Sequence, residues 1–387
     1  MKKHLIAVAV AAAVATPAMA QVTVSGIIDS GYLSRKDQVN LIDIKRNETG
    51  NANGASTSQL NFAATEDLGG GLRASAFHNV GLSSNTGGEA ARDTWVALAG
   101  GFGEFKTGRF TPAGETNAGI YSVGSSTVNS AGTIDFMFGH AAQAETATGQ
   151  AGPMAAYTDI GRGLGVANGG VFQYTSPRIA GGLTVTVGFA DTKTDNTNVA
   201  MVGETQSQQK DLAINYSAGP FSMGLAMVDR RDNVEAVAAV AGVLAAAGVT
   251  GSAGANAVAA SQTDRELTSF GVSYNLGGVT LRAGHIVRED KLTNATVNII
   301  DATVTSIGLT IPMGANVFSV NFYDGDDGAN GVPANIKDLK GFQLLAVHNL
   351  SKRTNLYAVY GKNEYIGTTV ALTSDRTDFA FGIRHSF

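Results

Sequence analysis

Apolar and polar residues alternate with a period of two along many short stretches of this chain. In the last stretch, 376–387, one face carries Phe379, Phe381, Ile383 and Phe387, and the other face carries charged residues and glycine. A period of two is typical of β-strands. The stretches that alternate in the same way include 22–29, 183–189, 279–285 and 316–322. The pattern therefore predicts an all-β protein.

Two kinds of connection separate these stretches. Short turns, rich in the Gly and Pro that tight turns need, are predicted at 66–71, 99–103, 177–182, 217–220, 276–278, 312–314 and 351–354. Longer polar or Gly/Ala-rich loops are predicted at about 34–57, 81–91, 111–168, 192–208, 230–263, 289–301, 325–338 and 363–375. Seven turns that alternate with eight loops separate sixteen strands.

An even strand number, with short connections at one end and long ones at the other, is typical of outer-membrane barrels. Arg and Asp recur on the polar face of the strands, where a packed interior would bury unpaired charge but a water-filled lumen would not. We therefore predict a transmembrane antiparallel up-and-down β-barrel of 16 strands. The alternative is an ordinary β-sandwich, which would not separate loop lengths so regularly.

The first twenty residues read as an export signal. Lys2 and Lys3 precede an apolar run that ends in Ala18-Met19-Ala20, so we predict cleavage after Ala20 and a single barrel domain over 21–387. Cleavage would take the net charge from −5 to −7, which argues against binding nucleic acid. The chain has no Cys, so disulfides do not hold this exported protein together.

The loop predicted at 111–168 is far longer than ordinary loops, and such loops are functional or disordered. A sixteen-stranded lumen is too wide for side chains to fill. We therefore expect this loop to fold inward as a constriction loop, with a surface loop as the alternative. The Ala-rich segment 234–260 suggests a short helix in an external loop, and the sequence gives it no function.

No motif in the chain indicates catalysis or a cofactor. The six His residues lack metal-binding spacing, and the HExxH, GxSxG and P-loop motifs are absent. Asp324, Asp326 and Asp327 form an oxygen-rich cluster that could hold Ca²⁺. The alternative for this cluster is a solvated acidic loop.

Charges that face the lumen are the remaining candidates for function, because opposed basic and acidic side chains in a narrow pore select by size and charge. On the wall, the candidates are Asp29, Arg92, Arg109, Arg282 and Arg384. In the long loop, the carboxylates that could oppose them are Glu115, Asp135, Glu145 and Asp159.

Several stretches of the chain, in order, together resemble the Gram-negative general porin family of trimeric sixteen-stranded diffusion porins. The stretches that carry the resemblance are 65–72 (TEDLGGGL), 95–103 (WVALAGGFG) with 107–109 (TGR), 174–177 (YTSP), 350–357 (LSKRTNLY) and 382–387 (GIRHSF). The resemblance implies a homotrimer in the outer membrane of a Gram-negative bacterium, in contact with lipid and lipopolysaccharide. It also implies that the barrel-assembly machinery reads the terminal Phe387 and the apolar residues before it.

The constriction carries over from the family only in part. Arg92 matches a wall arginine, and Asp135 is the loop carboxylate that fits best. The family usually has Arg where this chain has Gln59, and Arg162 is only a loose candidate for a further basic residue. The basic wall is thinned, so we expect weaker anion selectivity than in many relatives, or mild cation selectivity.

The sequence therefore predicts a water-filled channel for passive diffusion of ions and small hydrophilic solutes. The alternative on the same scaffold is a solute-preferring channel. Two other classes remain: a barrel enzyme would need a Ser or Thr nucleophile beside a His, which the sequence does not offer, and an adhesin would rest on the long loops alone.

Overall fold

The computed structural model of the protein describes most of the chain after residue 20. The described residues are 21–39, 42–50, 58–83, 87–111, 170–194, 205–234, 261–293, 297–328, 336–367 and 374–387. The predicted export signal and most of the predicted constriction loop lie outside them. Among the described residues there is no helix long and apolar enough to cross a membrane.

The described residues form seventeen antiparallel strands in one sheet. In chain order they are β1 (Gln21–Val39), β2 (Ile42–Gly50), β3 (Gln59–Gly69), β4 (Leu72–Leu82), β5 (Glu89–Gly100), β6 (Gly103–Arg109), β7 (Val171–Thr175), β8 (Leu183–Thr194), β9 (Thr205–Ala218), β10 (Phe221–Val234), β11 (Ser261–Asn275), β12 (Thr280–Leu292), β13 (Val297–Met313), β14 (Asn316–Asp327), β15 (Ile336–Asn349), β16 (Thr354–Gly367) and β17 (Ser374–Ser386).

Sixteen of these strands close into a barrel. Each strand from β3 to β16 pairs with the next, and β1 closes the ring by pairing with β17 on one edge and with β3 on the other. The predicted closed, antiparallel, sixteen-stranded barrel is confirmed. Closure removes the open sheet edges that would otherwise invite aggregation.

The seventeenth strand, β2, corrects one sequence prediction. The region 34–57 was expected to be a loop, but β1 continues to Val39 and β2 pairs with it from Gly31 onward. β3 covers only the first part of β1, up to Ile27. Beyond that point the backbone N–H and C=O groups of β1 need another partner, and β2 supplies it.

All seven predicted short turns are found between the strands, whereas the long connections, apart from the one between β6 and β7, are shorter than predicted. For example, β10 continues to Val234 and β16 to Gly367, past the positions where loops were expected at about 230 and 363. The additional strand residues are mostly polar. Sequence reasoning took polarity as a sign of a loop, but a ladder of backbone hydrogen bonds is indifferent to side-chain polarity.

The two faces of the sheet differ in chemistry, as the alternation predicted. Along β17 the side chains of Phe379, Phe381 and Ile383 are exposed on the outer face, while Arg376 and Asp378 are buried on the inner face. Exposed apolar side chains also mark the outer face of other strands, for example Phe172 of β7, Ile307 of β13 and Phe322 of β14. An apolar exterior suits lipid, and a polar interior suits water.

The barrel seam joins the two ends of the described chain. Gly26 of β1 and Phe387 exchange two backbone hydrogen bonds of 3.0 Å. The Phe387 ring covers Gly26 so closely that a Cβ atom there would lie 2.3 Å from the ring. The position of the last strand on the first is therefore fixed by backbone hydrogen bonds and by close packing of the Phe387 ring on Gly26.

Candidate functional site: the lumen wall

A repeated Arg-x-Asp pattern brings opposite charges together on the inner face. Residues two apart on a strand share a face, so each Arg reaches the Asp that follows it. The Nε atom donates to the carboxylate at 3.0 Å in Arg230–Asp232, at 2.9 Å in Arg288–Asp290 and at 2.8 Å in Arg376–Asp378. Each of these arginines is thus compensated within its own strand.

Two of these pairs join into one cluster on β10, β11 and β12. Arg230 lies directly opposite Arg265, which lies directly opposite Asp290. Arg265 stands 3.6 Å from Asp232 and 3.8 Å from Asp290. We call Arg230, Asp232, Arg265, Arg288 and Asp290 the β10–β12 cluster. It contains three guanidinium groups and two carboxylates.

The third pair lies at the seam. Asp378 accepts from Arg35 of β1 at 3.0 Å and from Arg376 at 2.8 Å. All three side chains are 2–3% exposed. This seam cluster is therefore a buried ionic connection between the first and last strands.

The inner face of β13–β16 has a different character. Among the described side chains that point inward there, none carries a charge, and amides and hydroxyls take their place. They are Ser306, Thr310, Ser319, Asn321, Tyr323, Gln343, Asn349, Asn355, Tyr357 and Asn363. The lumen wall thus has a neutral sector beside the charged ones.

Two of the predicted constriction residues point inward. Gln59 accepts a hydrogen bond of 3.3 Å from the Asn79 amide. Asp29 is fully buried, and it accepts a hydrogen bond of 2.5 Å from the Tyr357 hydroxyl. The ring of Tyr357 reaches it across Gly382, which has no side chain to block the path. Asp29 therefore connects strands at the seam and does not present an open charge to the lumen.

Arg92 and Arg109 lie together near the start of the long connection. Arg92 is exposed beside a β-bulge in β5, and its carbonyl accepts a 3.3 Å hydrogen bond from Arg109. Arg109 pairs with Thr94, which in turn faces the outward His78. This register places Arg109 on the outer face and not on the lumen wall that the sequence predicted.

The other predicted constriction residues lie outside the described residues. They are Glu115, Asp135 and Arg162, together with the further loop carboxylates Glu145 and Asp159. Arg282 and Arg384 are described, and both lie on the inner face.

Sequence reasoning missed one inward group near the start of the long connection. The ammonium of Lys106 lies 5.3 Å from the centre of the Trp95 ring and 4.1 Å from that of Phe110, and Trp95 stacks on Phe77. The short turn at 101–102 places Lys106 opposite the buried Ala97. Counting residues on both sides of that turn would have paired Lys106 with Ala97 and assigned it to the lumen.

Two of the three aspartates in the acidic stretch near the end of β14 lie on the outer face of the barrel. Asp324 and Asp326 point outward, and Asp326 accepts a hydrogen bond from Thr303. The side chain of Asp327 lies outside the described residues. In the part of the chain that the structure describes, no group of three His, Cys, Asp or Glu residues could hold a metal ion.

A sixteen-stranded barrel with a charged lumen wall agrees with the family comparison. The family model described as "Gram-negative porin" matches residues 7–368. This chain belongs to the Gram-negative porin family. Outer membrane porin protein 32 of Delftia acidovorans is 26% identical to this porin over 100% of both chains. The major outer membrane protein P.IB of Neisseria meningitidis is 36% identical over 28% of this chain and 34% of its own length.

Solved porin structures share the fold. An anion-selective porin from Comamonas acidovorans superimposes with a TM-score of 0.66 at 22% identity and covers 95% of this chain and 100% of its own. A loop-deletion variant of OmpT from Vibrio cholerae gives 0.59 at 14% identity, with coverages of 95% and 99%. The protein is therefore an outer-membrane porin that forms a channel for passive diffusion, and its relatives are channels and not enzymes.

Proposed function

We propose that this porin passes ions and small hydrophilic solutes with only weak charge selectivity. The observation that carries the proposal is the compensation of lumen arginines by aspartates on the same strand. In the β10–β12 cluster and the seam cluster together, three carboxylates offset three of the five guanidinium charges, which leaves an excess of two positive charges. Gln59, which stands where relatives usually have Arg, adds no charge. One structural neighbour is described as anion-selective, and we expect weaker anion preference here.

The zero-current potential of single channels in a tenfold KCl gradient tests this proposal. Complete selectivity for one ion would give about 59 mV. We expect a value well below half of that. A potential close to the full value, in either direction, would contradict weak selectivity, and the absence of step-like currents would contradict channel function.

We also propose that the segment 111–168 folds into the lumen, with Asp135 opposite Arg92. In support, the strands that flank it, β6 and β7, have only 7 and 5 residues. Removing the charge of Arg92 by Arg92→Ala should change the ion selectivity of the channel. Arg109→Ala is the matched control, since Arg109 lies on the outer face and should leave selectivity unchanged.

A solute-preferring channel is the second candidate. The lumen site formed by Lys106, Trp95, Phe110 and Phe77 favours it, because an aromatic surface beside a cation can hold a passing solute. Blocking of the ion current by candidate solutes at low concentration would distinguish this channel from a general one.

We propose that the porin is a homotrimer whose subunits meet through the outer faces of β5–β8. These faces carry Val96, Leu98, Phe105, Phe172 and Val187, which are all exposed, around a hollow of about 890 Å³. A large apolar patch of this kind suits an interface between proteins. The variant Phe172→Asn should weaken the trimer in detergent, as measured by native mass spectrometry. Phe322→Asn, an equivalent change on the outer face of β14, should not.

Above the apolar band, outward charges suit contact with lipopolysaccharide. Lys362 bonds Glu364 at 2.6 Å, and Lys340 lies 3.4 Å from Glu364. We propose that these two lysines bind the anionic headgroups. Lipopolysaccharide that copurifies with the porin should decrease in the double variant Lys340→Gln/Lys362→Gln.

We further propose that export cleaves the chain after Ala20 and that the barrel-assembly machinery reads Phe387 with the apolar residues before it. N-terminal sequencing of the membrane form tests the first point, with Gln21 as the expected first residue. Deletion of Phe387 tests the second and should reduce the assembled fraction in cells.

A further inference from the structure

Arg265 is the least tightly held charge of the β10–β12 cluster. Like charges that lie directly opposite on a sheet repel, and Arg265 lies opposite Arg230. The negative charge of Asp232 offsets this repulsion. Its Oδ1 atom, however, already accepts hydrogen bonds from Arg230 at 3.0 Å and from the Ser207 hydroxyl at 2.6 Å. Asp290 already accepts two hydrogen bonds from Arg288, of 2.9 and 2.7 Å. Arg265 reaches the two carboxylates only at 3.6 and 3.8 Å, which is too long for a hydrogen bond.

The same cluster leaves hydrogen-bonding atoms unused. Within the described residues, the buried atoms Arg288 Nη1 and Arg265 Nε have no hydrogen-bond partner. Asp232 Oδ2 faces Arg265 Nε across the 3.6 Å gap. The side chains of Arg265 and Asp232 are 31% and 23% exposed, whereas Arg288 is 2% exposed. The partly exposed side chains of Arg265 and Asp232 therefore lie side by side, next to the buried side chain of Arg288.

We propose that Arg265 and Asp232 form a binding site for small zwitterions, with α-amino acids as the chemical class. An α-amino acid carries its ammonium and carboxylate groups on one carbon, so the two charges are adjacent, as they are on the wall. The solute carboxylate would accept from the guanidinium of Arg265, and the solute ammonium would donate to Asp232 Oδ2. The cluster has one more guanidinium than carboxylate, so it can accept the solute carboxylate without leaving two anions unpaired.

The site lies towards the end of the barrel that carries the long connections. Arg230, which is level with Arg265, is nine residues beyond the first residue of β10, or about 30 Å along the strand. With the usual strand tilt this is a rise of about 23 Å, close to the height of the apolar band. The outward neighbours of Arg230, Asp229 and Arg231, are both exposed charges. A solute that enters from the outside would meet this site early.

This inference rests on the proposed channel function, and single-channel recording in KCl tests the two separately. Four solutes of nearly equal size are added in turn at neutral pH: alanine (zwitterion), lactate (anion), alaninamide (cation) and lactamide (neutral). We expect alanine to reduce the ion current saturably and at lower concentration than the other three. We expect alanine to act more strongly from the side of the long connections.

Four variants test where the site lies. Arg265→Gln should weaken the alanine effect between about tenfold and a hundredfold, the range expected for losing one charged hydrogen bond. Arg231→Gln is the matched control, because it removes the same charge from the same region on the outer face, and it should behave as the wild type. Asp232→Asn should abolish the preference for alanine over lactate. Arg265→Lys keeps the charge, so it is used in place of Arg265→Gln should that variant give no channels.

The outcomes separate the possibilities. Equal or stronger block by lactate would show a site for anions and overturn the zwitterion proposal. Identical effects of all four solutes, or equal loss in the Arg265 and Arg231 variants, would overturn it as well. Normal KCl steps without any effect of alanine would overturn only this inference, whereas the absence of KCl steps would overturn the channel function together with it.

Discussion

The seam cluster gives a prediction of large magnitude. The variant Asp378→Asn keeps the size of the side chain but removes its charge. Asparagine can accept from one of the two guanidinium groups, of Arg35 and Arg376, while its NH₂ group is turned toward the other. All three side chains are 2–3% exposed, so water cannot replace the lost partner.

Breaking a buried ion pair by removing one partner costs about 3–5 kcal/mol. We expect a loss of this size in the free energy of unfolding. The matched control is Asp264→Asn on the outer face, which removes the partner of Arg231 at 2.7 Å. That pair is 51% and 27% exposed, so its loss should cost far less, because solvent screens exposed ion pairs.

The assay is equilibrium unfolding by urea in lipid vesicles. Trp95 is the only tryptophan in the chain, and its stacking on Phe77 makes its fluorescence a reporter of the folded barrel. The strands β3 and β4 separate Trp95 from the seam, so the side chains replaced in the two variants do not touch it. Equal shifts of the unfolding midpoint in the two variants would refute the argument from burial.

Three further predictions concern closure and the lumen. Gly26→Val should displace the Phe387 ring and lower the fraction of protein that runs as a folded barrel on an unheated gel. The control Gly101→Val should not, because nothing lies within 4 Å of the Cβ position of Gly101. Equal behaviour of the two variants would contradict close packing of Phe387 on Gly26. Tyr357→Phe leaves Asp29 without its 2.5 Å donor and should lower the free energy of unfolding by about 1–3 kcal/mol, measured by the same urea titration. Trp95→Leu removes one aromatic contact of Lys106 and should increase the block of the ion current by small anions, because the ammonium is then less engaged; an unchanged block would show that Trp95 does not restrain Lys106.

The fold could be predicted from the sequence because the signals for a strand, alternating polarity and a flanking turn, lie within the strand and its immediate neighbours. Alternation fixes which residues share a face, and the Gly-containing turns fix the pairing of neighbours. The prediction failed at β2, since a short charged strand is recognised only once the free edge of β1 is known. It also placed loops too early where polar residues continue a strand, as they do up to Val234.

The lumen site was less predictable, because it depends on register across strands. Arg282 and Arg384 were assigned to the inner face correctly, from alternation within one strand. Arg109 was assigned to the wall, whereas its pairing with Thr94 turns it outward. The β10–β12 cluster could be foreseen only in part: counting from the short turn at 276–278 sets Arg265 opposite Asp290, but the long connection between β10 and β11 leaves the position of Arg230 opposite Arg265 open.

The Arg-x-Asp pairs have a consequence for how the barrel is made. A pair within one strand needs only that strand to be extended, so it can form before any neighbouring strand has docked. Each such strand can then approach the membrane with its inner charges already neutralised, which lowers the cost of moving them out of water. The ion pair at the seam needs the first and the last strand together, because Arg35 of β1 bonds Asp378 of β17. Local compensation thus suits strands that are added one after another, and the ionic contact between the two ends belongs to the final step.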